Sequence, residues 1–531
     1  MAIHFPNLSG KKRQELFILC LCLLIGFALR FYAFDQKSLW IDEIHTFNDS
    51  RVNLEGQIKY FKEHPADFLH PPVFFVLTHL FYPFQKPERD LRIFPLVFGI
   101  LSIPMIYILA KLFSPAIALP CALSLTFMTY HIHFSQDGRP YSLLMFLGMV
   151  SLYFFLKHLT TDKKIYLIAA ALFFAVLFYT SYSAIPFIVL SQLLWFYQIG
   201  ERHNKPRFSS FFILNGISLL LCLPWIIFLF LNYKGQPVAD RVFIEELGSL
   251  RDIIGGIFND WVPLAPLTII SVLLLILFPI FSKIRKNAII LLTVVFLPIA
   301  GILLFCKLFN IQYFFSSKYL INFLPLFFIS LYLSLDSLQT KFEKLNKILR
   351  FKLLFLLIFI ASNMTILPLY YRSEKQDFRG LVSYLESHLH DGDKIYVKSI
   401  AYIPGILHYF RIYPESRHYN FPVWLDHSQN EMVAKASIIG PNKKFTIHFS
   451  SSCCAQYLAD GNRLWMVVGK PAVREIKGNT PAVLKGFFDG SFSCFRRFPS
   501  DASMYLFLWD PKSPEGKGID LPIERFSPSE R

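Results

Sequence analysis

The chain has 531 residues, 54% of them hydrophobic, 17% aromatic and only 17% charged, with a mean hydropathy of +0.43. Soluble domains carry about 25% charged residues, so these numbers exclude an ordinary soluble protein and predict a polytopic membrane protein. The formal net charge of +16 does not point to nucleic acid, because the basic residues cluster in short loops between apolar runs, as the positive-inside bias expects.

In chain order, Lys11-Lys12-Arg13 precede the first apolar stretch and no small-residue cleavage site follows, which reads as a signal anchor. Runs of roughly 17–25 apolar residues can cross a bilayer. Such runs lie near 15–34, 91–112, 115–135, 139–157, 164–180, 182–199, 209–232, 265–282, 287–308, 319–336 and 353–371. The expected fold is a polytopic α-helical membrane protein with about eleven to thirteen transmembrane helices and a C-terminal soluble α/β domain. The run 71–85 is shorter and carries Pro71, Pro72 and Pro83, so a juxtamembrane or re-entrant helix is expected there. With Lys11–Arg13 inside and that run not crossing, the groups Lys157/Lys163/Lys164, Arg202/Lys205/Arg207, Lys283/Arg285/Lys286 and Lys341–Lys352 all fall inside. The outer face then holds loop 35–70, the turns at 134–139 and 179–183, loops 233–264 and 309–318, and the tail. In loop 35–70, Leu54, Ile58 and Phe61 recur at helical spacing and predict an amphipathic helix on the membrane surface.

Two domains are expected, a membrane domain over 1–372 and a soluble α/β domain over 373–531. In the tail, Gln376–His390 reads as a surface helix and Asp391-Gly392-Asp393 as a turn. Lys394–Lys398, Phe445–Phe449, Trp465–Val468 and Met504–Trp509 read as strands. Of eight cysteines, Cys20, Cys22, Cys121, Cys222 and Cys306 sit in apolar runs and read as small buried residues. Cys453, Cys454 and Cys494 allow one disulfide if the tail faces an oxidising compartment.

Four groups carry candidate chemistry. Trp40-Ile41-Asp42-Glu43 places two carboxylates just past the first crossing. They serve either as a helix cap or ion pair, with Arg51 or Lys37 for instance, or as a general base whose basicity a low-dielectric site would raise. His131–Tyr141 packs Gln136, Asp137, Arg139 and Tyr141 between two crossings. It is either a solvated turn with an Asp–Arg pair, or a second carboxylate with an arginine whose planar fork suits phosphate. His70, before Pro71-Pro72, is either a loop residue or a phosphate ligand. Lys318-Tyr319 is either a snorkelling lysine with a belt tyrosine, or a cation held at lipid-headgroup depth. Asp42, Asp137 and His70 are the set a divalent metal would use, although no spacing demands one.

Taken in order, these residues resemble the GT-C class of membrane glycosyltransferases. The branch most like them is that of the dolichyl-phosphate-mannose protein mannosyltransferases and the lipid A aminoarabinose transferases. The resemblance rests on Leu39-Trp40-x-Asp42-Glu43, His70-Pro71-Pro72, Leu91-Arg92-Ile93-Phe94-Pro95, Gln136-Asp137-x-Arg139-x-Tyr141, Lys318-Tyr319, and Gln376-Asp377-Phe378-Arg379 leading to Gly392-Asp393-Lys394. It implies an inverting transfer of a mannose-like hexose or an amino sugar from a polyprenyl-phosphate donor to a glycolipid or protein hydroxyl. It implies Asp42, with Glu43 beside it, as the catalytic base and Asp137 as the second carboxylate. His70, Arg139, Lys318 and Tyr319 would bind the donor phosphate, and Trp40, Gln136 and Tyr141 would line the acceptor and sugar pocket. No cofactor is required on this reading, and a divalent metal is optional. The expected setting is a bacterial inner membrane with the site facing the periplasm. The sequence departs from the pattern at Leu69-His70, where the aminoarabinose transferases carry Glu-Lys, and at Lys318, where arginine is usual. The rival readings are a transporter or flippase of lipid-linked sugars, whose polar groups belong near the midplane, an oligosaccharide ligase, and a binding scaffold.

Overall fold

The computed structural model describes residues 10–63, 70–198, 208–233, 250–309, 316–372, 375–397, 402–412, 423–426, 431–439, 444–450, 461–469, 483–487 and 504–509. Two compact units emerge. The first comprises residues 1–34, 54–80 and 91–369, and the second comprises 35–53, 81–90 and 370–531.

The first unit is helical. It contains α1 (Gly10–Phe31), α3 (Leu54–Glu63), α4 (Pro72–His79), α6 (Ile93–Phe113), α7 (Pro115–Phe127), α8 (Thr129–Ser135), α9 (Tyr141–Thr161), α10 (Lys164–Thr180) and α11 (Ile185–Leu190). It continues through α12 (Phe208–Asn232), α13 (Leu250–Trp261), α14 (Ala265–Phe281), α15 (Arg285–Phe309), α16 (Leu324–Lys341), α17 (Glu343–Leu349) and α18 (Phe351–Arg372), the last of which runs on into the second unit. Between them lie α2 (Ile41–Ser50) and α5 (Pro87–Asp90), which belong to the second unit. Among the described residues, seven helices are long and apolar enough to cross a membrane, or nine if each of two bent pairs forms one span. Two shorter apolar helical stretches, 164–180 and 182–196, complete the set. All eleven apolar runs thus fall on helices, because a helix is the one open segment that satisfies its own backbone in lipid.

Two expected crossings are not single straight helices. Residues 115–135 bend by 62° at Met128, whose backbone is extended (φ −71°, ψ 110°). Residues 182–196 are broken into 3-10 turns on either side of α11. The expected loop 233–264 contains a helix, α13, which meets α14 at 102°. The run 71–85 forms only α4. Its eight residues reach about 12 Å at 1.5 Å per residue, too short to cross a core about 30 Å thick. The helix expected from Leu54, Ile58 and Phe61 is present as α3. Phe61 is its buried anchor, packed with Ala175, Phe178, Cys222 and Trp225. Cys22, Cys121 and Cys222 are buried as expected, but Cys20 is exposed on α1, on the face its apolar neighbours Phe17, Leu21 and Leu24 also present outward. The Cys306 side chain and Cys453, Cys454 and Cys494 lie outside the described residues.

The second unit is built around a seven-stranded mixed sheet. Its strands are β1 (Lys394–Val397), β2 (Val423–Asp426), β3 (Glu431–Ile439), β4 (Lys444–Ser450), β5 (Leu464–Gly469), β6 (Val483–Phe487) and β7 (Met504–Trp509), in the order β2-β3-β4-β1-β5-β7-β6. β1 pairs in parallel with β4 and β5, and the outer pairs are antiparallel. The central strands are the most apolar, with Ile395, Val397, Leu464, Met466 and Val467 fully or nearly fully buried. Helices α19 (Phe378–His388) and α20 (Ile403–Tyr409) pack on each other, and Gly405 lets Phe378 approach, since a Cβ there would lie 2.6 Å from its ring. The expected turn at 391–393 is present. Gly392 takes φ +86°, and Asp393 accepts from His390 N at 2.9 Å and Trp465 Nε1 at 2.8 Å.

Candidate active site

In the second unit, Asp42 and Glu43 sit on the first turn of α2, where free backbone N–H groups favour negative charge. Their surroundings differ. Glu43 is fully buried. Its Oε2 accepts from Trp40 N at 3.3 Å, the glutamate half of a capping box, and its Oε1 pairs with Lys375 Nζ at 3.4 Å. Lys375 also lies 5.9 Å from the centre of the Trp40 ring. Gln376 Oε1 accepts from Ile41 N at 2.8 Å, and the Tyr409 hydroxyl accepts from Leu39 N at 2.7 Å. Burial and the neighbouring Glu88 hold that hydroxyl protonated well above the usual tyrosine range. It donates to Glu88 Oε1 at 3.1 Å, and Arg379 reaches the same carboxylate at 3.5 Å. The turn 38–43 is therefore held by Lys375, Gln376 and Tyr409. Asp42 is half-buried on the same turn.

In the first unit, the bend at Met128 shapes the second group. Breaking a helix frees backbone groups, and in an apolar setting each must find a partner. Arg30, wholly buried near the end of α1, donates to the carbonyls of Leu125 at 2.8 Å and Thr126 at 3.1 Å, and to His131 Nδ1 at 2.8 Å. Asn363 of α18 accepts from Thr129 N at 2.8 Å, capping α8. Gln136 donates in turn to the carbonyls of Arg30 and Tyr32, both at 2.8 Å. Gln136, one of the residues expected to line the pocket, thus also braces α1. Asp137 follows, buried, with its carbonyl accepting from Arg139 N at 2.6 Å. Arg139 is half-buried, and Tyr141 is buried at the start of α9 with its ring 5.0 Å from Phe134.

Lys318 joins this group. Its ammonium lies 5.8 Å from the Tyr141 ring centre and 5.3 Å from that of Tyr319, a cation held by two aromatic faces. Ser316 caps the turn by accepting from Lys318 N at 3.5 Å. The structure therefore brings Tyr141, Lys318 and Tyr319 together, with Asp137 and Arg139 on the turn just before Tyr141. His70 lies on the lead into α4, its ring 5.2 Å from Phe75, and α4 packs on α10. Among the described residues, no group of three or more His, Cys, Asp and Glu side chains is gathered that could hold a metal ion.

Sequence reasoning missed Lys375, Arg30 and Asp260. Lys375 adjoins the Gln376-Asp377 motif, and Arg30 is a lone charge inside an apolar helix, a signal in itself. Asp260, between Phe258 and Trp261 in an apolar stretch, carried the same signal.

Residues 69–228 match the family model described as dolichyl-phosphate-mannose-protein mannosyltransferase. That segment contains His70, Gln136, Asp137, Arg139 and Tyr141, and stops short of Lys318. No curated protein matches the chain. Among solved structures, the chain is similar to ArnT from Cupriavidus metallidurans in the apo state, at 12% identity and a TM-score of 0.50, covering 94% of this chain and 98% of that one. It is likewise similar to the same protein bound to undecaprenyl phosphate, at 10% identity and a TM-score of 0.50, covering 93% and 98%. In fold, then, this is a helical integral membrane protein similar to ArnT, with a C-terminal sheet.

Proposed function

We propose that the chain is an inverting glycosyltransferase that takes a sugar from a polyprenyl-phosphate donor. The observation that carries this reading is the whole-chain likeness to a fold whose solved example binds undecaprenyl phosphate, together with the clamped turn that presents Asp42. Asp42 takes the proton of the acceptor hydroxyl as its oxygen attacks the anomeric carbon. The bond from that carbon to the phosphate oxygen breaks, and the polyprenyl phosphate leaves on the opposite face. Phosphate is a good leaving group, so no general acid is required, and the donor already stores the energy that a nucleotide would otherwise supply.

Arg139, Lys318 and His70 receive the phosphate, with Tyr319 backing the lysine. Asp137 serves the acceptor side, and Tyr141 lines the sugar pocket. Glu43 acts on this reading by fixing the turn that carries Asp42. The acceptor is a glycolipid or a protein hydroxyl, and the sugar a mannose-like hexose or an amino sugar. The setting is a bacterial inner membrane with the site towards the periplasm, supported by the run of basic residues in alternate loops. The test is transfer of radiolabelled sugar from synthetic undecaprenyl-phosphate donors to membrane lipid and protein fractions. Label in one fraction with wild type, and none with Asp42→Asn at equal expression, is the expected result. Equal label with both would remove Asp42 as the base.

A further inference from the structure

Beside Lys318 lies a polar cluster that the phosphate and the base leave unused. Asp260 and Trp261 end α13 at the 102° break, Ser317 precedes Lys318, and Tyr130 is on α8. The Ser317 hydroxyl donates to Asp260 Oδ2. Tyr130 lies beside Asp260, Ser317, Trp261 and Tyr141. Trp261 is wholly buried, Asp260 is 5% exposed and Tyr130 7%. Even so, three of their polar atoms have no hydrogen-bond partner among the described residues: Asp260 Oδ1, Trp261 Nε1 and the Tyr130 hydroxyl. They are close enough to interact, but no bond of acceptable geometry joins them. An unmade bond of this kind costs free energy in an apolar interior, and native structures retain few of them.

The three atoms make a specific set. The indole N–H only donates, the carboxyl group offers an acceptor oxygen, and the phenol does both. That is the complement of a polyol, in which each hydroxyl donates once and accepts as well. The Trp261 ring is held in place by Phe327 at 5.2 Å and Phe258 at 5.8 Å, so its N–H direction is fixed. The cluster is also tied to the cation, because Asp260 binds Ser317, and Lys318 is the next residue and lies over Tyr141. Resting on the glycosyltransferase reading above, we propose that Asp260, Trp261 and Tyr130 form the recognition pocket for the hydroxyl groups of the donor sugar, next to the lysine that takes its phosphate. Sugar selection would then reside at the α13–α14 break. A site built to bond a substrate hydroxyl rejects analogues that lack it far more strongly than an apolar pocket could.

The test measures binding of two kinds of lipid to the full-length protein in nanodiscs. One is bare undecaprenyl phosphate, and the other is undecaprenyl phosphate carrying a neutral hexose, an N-acetylhexosamine or an amino pentose. At least one sugar should tighten wild-type binding over the bare lipid. Asp260→Asn and Trp261→Phe should remove that gain, each by about tenfold or more, while leaving bare-lipid affinity within about twofold. Tyr130→Phe, which deletes one hydroxyl without changing shape, should weaken the sugar gain alone. Lys318→Ala should weaken both lipids. If no sugar adds affinity while the bare lipid binds, the pocket assignment is wrong and the phosphate reading stands. If Asp260→Asn and Trp261→Phe lose both lipids equally, with unchanged melting temperature, the cluster only holds the Lys318 turn. If wild type binds neither lipid, the glycosyltransferase reading fails and the pocket with it.

Discussion

Asp42 and Glu43 are neighbours in the chain, yet Glu43 is fully buried against Lys375 while Asp42 is half-buried. Sequence alone could show two carboxylates at a helix start, but not which of them is held in a buried ion pair. The partners that decide it, Lys375 and Gln376, lie more than 330 positions away. A buried ion pair is costly to break from one side, by about 3–5 kcal/mol, because the remaining charge stays buried. Lys375→Met should therefore lower the thermal stability of the protein by that order. Adding Glu43→Gln, which keeps the capping box, should recover much of the loss; no recovery in melting curves would mean the pair is not what couples them. His408 gives a second residue-scale expectation. It is buried edge-on to Phe47 at 4.7 Å, and burial, with Arg51 adding to it, lowers its pKa from 6.5 to about 4. Other faces of this cluster present Tyr409 and, through Tyr409, Glu88. The unfolded chain binds a proton at this imidazole below about 6.5 and the folded chain only near 4, so stability is full above that window and falls as pH drops through it. The loss is about 1.4 kcal/mol per pH unit. Unfolding of wild type and His408→Leu between pH 7 and 4 should show the smaller pH slope in the variant.

At the scale of elements, hydropathy placed the long apolar helices, while their breaks and α13 escaped it. The bend at Met128 is invisible in composition, because Thr126–Ser135 reads on as one apolar run. The groups that make the bend affordable are Arg30 and Asn363, supplied from other helices. The close contact of α6 with α8 is likewise encoded in one glycine. A Cβ on Gly99 would lie 2.1 Å from Ser135 Oγ and 2.6 Å from its Cβ, well inside contact distance. Gly99→Ala should cost about 1–3 kcal/mol by overpacking and displace the Gln136–Tyr141 turn that follows. Melting should fall, and Ser135→Gly in the same chain should restore it; an unchanged single variant would show that α6 and α8 are looser than described. In the sheet, the strands legible beforehand are β1, β5 and β7, which carry short apolar runs, and β4, which alternates Phe445, Ile447 and Phe449 with polar residues. The strands that escaped are β2 and β6 at the two edges and β3, whose run is interrupted by Lys435 and Ser437. Edge strands need bury only one face and one ladder, so their sequences carry less signal.

For the molecule as a whole, length, apolarity and the spacing of basic loops fix the class of protein before any single site is considered. What the whole-molecule pattern could not supply is the polar cluster at Asp260, because α13 lies in a stretch that reads as an external loop. Orientation is the expectation that belongs to this scale. A lone cysteine at Lys344→Cys, in a background without other cysteines, should react with an impermeant maleimide only after the cytoplasmic side is opened. Reaction from the outside in intact cells would invert the proposed topology and move Asp42 and Lys318 to the cytoplasm. The measurement that bears most directly on the central claim is donor cleavage by the purified protein in nanodiscs. Release of undecaprenyl phosphate from its glycosylated form would be followed with acceptor lipid extract present, comparing wild type with Asp42→Asn. Removal of a general base predicts a rate lower by about 10²–10⁴-fold, with donor binding retained. Equal rates in the two proteins, or no cleavage of any donor by a wild type that binds it, would contradict the account.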